Sequence, residues 1–169
     1  MYLRVIIVFS VCAAMVASLW LLRRDTPISD STTLAISVPQ VKRPEMPSPI
    51  AMLAMLRGTF LAIDHGMKTG NYTVLRDLGS SRFRKANPAA RLAQVFGSLA
   101  AEQVDLLPTA VVDPMYTKAP ALTPDNMIYM AGMFTIEPKS AAFEVLLELE
   151  DDQWRIFAIA IAPATGRAQ

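Results

Sequence analysis

Histidine and cysteine occur once each in this chain of 169 residues, as His65 and Cys12. A disulfide within the chain is therefore excluded, and cysteine usage does not fix the redox compartment. Net charge is also small: 16 Lys and Arg against 15 Asp and Glu, formally +1. Nucleic-acid binders carry a basic patch or stripe, whereas here the charges are interspersed, so nucleic acid is not expected as a partner. There is no glycine-rich phosphate loop, and Ser80–Ser81 lack any motif context for a nucleophile. No cofactor and no metal is expected.

What the chain has in excess is apolar residues, 53% of the total, above the usual range of roughly 45–50%. Much of the excess lies in VIIVFSVCAAMVASLWLL, Val5 to Leu22, which is eighteen residues without a charge. A spanning helix needs about 20 apolar residues, with about 17 the lower limit. The reading favoured is a transmembrane or signal-anchor segment at 1–24, with residues 5–22 in the membrane. A cleaved signal peptide competes with it, but no A-x-A site is present and cleavage after Ser18 leaves LWLLRR as the mature terminus. Arg23, Arg24, Lys42 and Arg43 outnumber Arg4 and lean towards a cytoplasmic C-terminal domain. The short basic start followed at once by the apolar run instead resembles an export signal. The expectation is a single pass of an inner membrane with a periplasmic domain; secretion to the periplasm after cleavage is the alternative.

Residues 25–47 are rich in Ser, Thr, Pro and charge, with no sustained period. This is linker composition, reaching on the order of 25–30 Å. A domain then runs over 48–165. Ser48 and Pro49 form a cap-plus-proline helix start. Ile50, Leu53, Leu56, Phe60 and Ile63 follow at three-to-four spacing. Gly58 inside this helix is read as a point of close packing, and Gly66 as its left-handed C-cap. A second helix places Tyr72, Leu75 and Leu78 on one face until Gly79–Ser80–Ser81 interrupts it, and Phe83 anchors the next turn. A third starts at Asn87–Pro88 and carries Leu92, Val95, Phe96 and Leu99.

From Val104 the texture changes to short apolar pieces between prolines. Ala110–Val112 and Met115–Lys118 are expected as edge strands. Met127 to Ile136 is a longer strand in which Gly132 suggests a bulge. The strongest local signal is AAFEVLLELEDDQWRIFAIAI, Ala141 to Ile161. It is a period-two run, an acidic turn at Asp151–Asp152–Gln153, and a second run rich in aromatic and β-branched residues, hence an antiparallel hairpin. Helices followed by strands imply an α+β fold: three helices packed on one face of a strongly bent antiparallel sheet of about four strands.

The stretches AIDHGMKTGNYTVLRDL, MIYMAGMFTI and EDDQWRIFAIAI, in that order, resemble the nuclear transport factor 2-like (cystatin-like) superfamily. The resemblance covers roughly Ser48 to Pro163 and extends to small bacterial envelope proteins with an N-terminal anchor. It implies a cone whose mouth can hold a ligand. Enzymes of that superfamily place an acid, a tyrosine or an Asp–His pair inside it.

Candidate residues follow. Asp64 and His65 are adjacent and could form a proton-transfer dyad, although a histidine in the last turn of a helix ordinarily complements the helix dipole. Tyr72, Tyr116, Tyr129, Met133 and Trp154 are candidate pocket-wall residues, although tyrosines of this kind are more often core or rim. Met127, Met130 and Met133 suit Cu(I) by chemistry, but three-residue spacing alternates faces in a strand. Glu144, Glu148 and Glu150 are expected on the solvent face. Arg82, Arg84 and Lys85 are expected as a solvated basic face. The function expected is non-enzymatic: a membrane-tethered domain that binds a small apolar ligand or a protein partner, a homodimer through the sheet face included. An isomerase- or dehydratase-like enzyme using Asp64 and His65, and a structural subunit of a secretion-type envelope assembly, are the alternatives.

Overall fold

A computed structural model of the chain describes residues 44–164. The expected membrane segment at 1–24 and nearly all of the linker at 25–47 lie outside the described residues. Within them the fold is α+β. Helices α1 (Pro49–Thr69), α2 (Thr73–Leu78), α3 (Ser81–Ala86) and α4 (Ala89–Ala101) come first, with a 3-10 helix at Leu107–Ala110. Strands β1 (Met115–Leu122), β2 (Ile128–Phe134), β3 (Ser140–Glu150) and β4 (Gln153–Ala164) follow. They form one sheet in the order β1-β2-β3-β4, each neighbour antiparallel.

The Ser48 hydroxyl accepts a hydrogen bond from the Ala51 amide at 3.2 Å, which starts α1 as its sequence requires. The helix does not stop at Gly66. It runs a turn further to Gly70, whose φ of 74° is the left-handed cap. Gly66 is instead buried under Tyr72, where a Cβ would lie 2.6 Å from the ring. Gly58 packs against nothing; open space surrounds the position of its absent Cβ. By length and composition α1 could cross a bilayer, with a mean hydropathy of 1.2. Here it is the central helix of the domain, because Leu56, Phe60 and Ile63 are buried in the common core.

Three further expectations are corrected. Ser81–Ala86 is a helix in its own right, capped by the Ser80 hydroxyl accepting from the Phe83 amide at 3.1 Å. Ala110–Val112 is not a strand. Pro108 starts the 3-10 turn, and the carbonyls of Thr109 and Val112 accept from the Arg57 guanidinium at 3.2 Å each, which removes them from any ladder. Gly132 does not bulge; it pairs in register with Tyr116 and Phe143. The register shifts lie in β1, between Tyr116 and Lys118 and between Lys118 and Ala121. Gly132 is required because the Phe143 ring and the β1 backbone occupy the space of a side chain.

The β3–β4 hairpin forms as its pattern demands, with Glu150 paired to Gln153. Only Asp151 and Asp152 make the turn, at φ 51° and 57°, the double left-handed geometry that matches strand twist in a two-residue loop. One face of the sheet carries Ile128, Met130, Phe134, Phe143, Val145, Leu147, Ile159 and Ile161, all buried in the core. The Phe60, Phe134 and Phe143 rings meet at centroid distances of 4.9, 5.6 and 5.4 Å. Aromatic side chains thus fill the space between α1 and the sheet.

Candidate functional site

The other face of the sheet is built differently. In FAIAIAPA of β4, Ile159 and Ile161 turn to the core, so Ala158, Ala160 and Ala162 turn outward. Ala142 of β3 pairs with Ala162, and Ala160 pairs with Glu144. Ala131 of β2 pairs with Glu144 from the other side. Alanine is a poor strand former, so these positions contribute shallowness rather than strand stability. The result is a groove of about 380 Å³ on the outer face. Its lining includes Ala131, Ala142, Ala160 and Ala162 as floor, with Thr117, Tyr129 and Glu144 as its polar groups. Ala131 is 7% exposed.

Tyr129 and Glu144 act together. Burial first, then the Glu144 charge and a hydrogen bond to Glu144, push the Tyr129 hydroxyl above its ordinary value. Tyr129 therefore stays protonated beside the carboxylate. The Thr117 hydroxyl is spent on the Ala131 carbonyl at 3.2 Å. Among the described residues no cation pairs with Glu144, so its charge is the groove's unmatched group.

Four residues along the same strand face, Glu148 is treated in the opposite way. The link from α2 to α3 runs beside β4, where the Ser80 amide donates to the Ile156 carbonyl at 2.9 Å. That places α3 over the end of the outer face. Arg82 forms a two-pronged ion pair with Glu148, one prong at 3.3 Å, and its guanidinium lies 4.6 Å above the Phe157 ring. Phe157 is the extra residue of a bulge between Ala158 and Ile156. The Glu148 side chain is 11% exposed, which corrects its expected place in solvent: α3 covers it. The ion pair raises the Arg82 pKa. Glu150 accepts from the Ser81 amide at 3.0 and 3.1 Å. Ser81, through its side chain first and then its amide, with Arg84 and Arg155 nearby, holds the Glu150 carboxyl below the ordinary value despite some burial. Arg82 and Arg84 are thus structural cations, not a free basic face.

The residues named from sequence do not converge. Asp64 is buried, at 1% side-chain exposure, and its Oδ2 accepts from Lys68 at 2.9 Å. Lys68 also reaches Asp105 at 3.2 Å and is raised mainly by its bond to Asp64. His65 is exposed, and no hydrogen bond joins it to Asp64 among the described residues. Tyr72 is buried and stacked on Phe96, with ring centroids 6.2 Å apart. Tyr116 stands edge-on to Phe143 at 6.2 Å. Trp154 packs on the core beside Leu149. Met130 is buried while Met133 lies half-buried on the opposite face, paired with Ala142. Only Tyr129 lines the groove. No cluster of three or more His, Cys, Asp or Glu able to hold a metal occurs among the described residues. The alanine floor had a sequence signal, the strict Ile/Ala alternation of β4, which marks one large and one small face.

No known protein family, curated protein or solved structure matches this chain significantly.

Proposed function

We propose that the chain is a non-catalytic binding domain of the cell envelope, tethered to the membrane through residues 5–22 and holding a small, largely apolar ligand on the outer face of its sheet. One observation carries this reading: a groove of about 380 Å³ floored by alanine methyls on the part of the outer face that α3 leaves open. Ligand sites are concave, mostly apolar and furnished with a few polar groups, commonly from about 300 Å³ upward. The helix-then-strand order and the antiparallel sheet support the nuclear transport factor 2-like resemblance. The interior that the resemblance would open to a ligand holds the Phe60, Phe134 and Phe143 rings, which moves the binding surface to the other side of the sheet. An isomerase-like reading fares less well, since Asp64 is engaged by Lys68 and His65 stands apart in solvent.

The test is native mass spectrometry of the full-length chain, released from membranes under mild conditions. The wild type is expected to retain a small-molecule mass that is neither lipid nor detergent, and an Ala160→Phe variant, folded but with the groove filled, to lose it. A bare monomer in both samples overturns the reading; a bare dimer in the wild type alone assigns the sheet face to self-association.

A further inference from the structure

We infer that the ligand of the outer groove is an organic cation, a protonated amine on a flat apolar body, with Glu144 as its counter-ion and Tyr129 as the aromatic wall beside it. The inference rests on the reading of the groove as a ligand site and adds the chemical class of what enters it.

The charge pattern decides the class. Among the described residues, the other acidic groups along the outer face of β3 are matched: Glu148 by Arg82, Glu150 by the Ser81 amide with Arg84 and Arg155 nearby. Among the described residues Glu144 has a groove in front of it and no ion pair, with Lys118 standing across Ala131 in the same cross-strand row. The Tyr129 hydroxyl, which lines the groove beside Glu144, is a donor. A carboxylate has about four lone-pair sites, so acceptor capacity is left over, directed at whatever lies on the floor. An anionic or electron-rich ligand would meet repulsion there. A neutral apolar ligand would leave the carboxylate as it is. An ammonium donates a charge-assisted hydrogen bond to Glu144 and lies next to a tyrosine ring, the pairing that favours cations over neutral isosteres. The floor matches the rest of such a molecule. Ala131, Ala142, Ala160 and Ala162 present only methyl groups, so a flat body can approach the sheet backbone closely.

The probes are phenethylamine and its uncharged isostere 2-phenylethanol. Each is titrated into the full-length chain, held in lipid nanodiscs and carrying ¹³C-methyl alanine. Both are expected to shift the methyl signals of Ala131, Ala142, Ala160 and Ala162. The amine should bind about three- to fivefold more tightly, the range open to a partly exposed ion pair. Glu144→Gln should abolish that advantage, bringing the ratio of the two affinities to about one. Equal affinities for amine and alcohol, unaffected by Glu144→Gln, would overturn the cation assignment and leave the groove reading standing. Failure of both probes to move the four methyls would overturn the groove reading itself. Methyl shifts that depend on protein concentration alone would give the groove to a second copy, and shifts on removing residues 165–169 would give it to the chain's own end; either overturns the inference.

Discussion

Glu144 and Glu148 stand four residues apart on one face of one strand, yet one is left facing a groove and the other is almost buried in an ion pair. At the Glu148 end, α3 lies over the sheet and supplies Arg82, which grips the carboxylate and covers the Phe157 ring. At the Glu144 end no helix arrives among the described residues, and alanines take the place of larger side chains. The difference teaches that strand position makes a carboxylate outward-facing, but a remote element decides whether it is structural or available. The same contrast holds between the two faces of the sheet. The helix face is filled by interlocked phenylalanines; the outer face is shallow wherever α3 does not reach.

The largest expected effect breaks the comparison between faces. Phe134→Ala removes a fully buried ring from the Phe60–Phe143 cluster and should destabilise the domain by about 3–4 kcal/mol in urea unfolding. A loss below about 1 kcal/mol would mean that the helix face is loosely packed.

Next, Arg82→Ala should cost about 1–2 kcal/mol, because it strands a carboxylate that is 11% exposed. The figure is held down because Arg82 itself is largely exposed. Glu144→Gln, on the same face, should change stability by less than about 0.5 kcal/mol. Equal costs for the two variants would erase the distinction between the ends of the face.

Acid should act on the covered end. The Glu150 carboxyl is held below its ordinary 4.5 by the Ser81 hydrogen bonds and the nearby arginines. A depressed folded-state value means that its stabilisation is fully present above the unfolded value and is lost as pH falls through the folded one. Melting temperatures taken from pH about 6 to about 3 should therefore fall more steeply for the wild type than for Glu150→Gln. Parallel slopes would show that the α3 cap carries no linked proton.

The smallest effect on stability belongs to the floor. Ala160→Val adds a β-branched residue at a strand position and should change stability by no more than about 0.5 kcal/mol in either direction. It narrows the groove, so it should weaken retention of the ligand in native mass spectrometry. A clear loss of stability would show that Ala160 is shaped by internal packing and not by an occupant.

Much of this fold is legible locally. Ser48–Pro49, the period-two run through Phe143, Val145 and Leu147, and the Asp151–Asp152 turn each carry their own physical signal, and each forms. The misses have physical reasons too. Gly66 reads as a cap, but Tyr72 folds over it, and Ala110–Val112 reads as strand, but a 3-10 turn takes Ala110 and Arg57 engages the Val112 carbonyl. Of the candidate site, Tyr129 was named among five residues, while Glu144 was placed on the correct face but given no role. The alternation in FAIAIAPA is the available clue to the floor: its small residues mark a face as clearly as its large ones.

By itself the sequence determined most of the helical and strand segments, the hairpin and the two-sidedness of each strand. These follow from periodicities of 3.6 and 2 that every residue shares with its near neighbours. Only the tertiary structure decided which parts of the outer face are covered. The Arg82–Glu148 pair spans 66 residues of chain, and no local pattern specifies a partner at that distance. It is the docking of α3 beside β4 that buries one glutamate, leaves the other open, and turns a row of alanines into the floor of a groove.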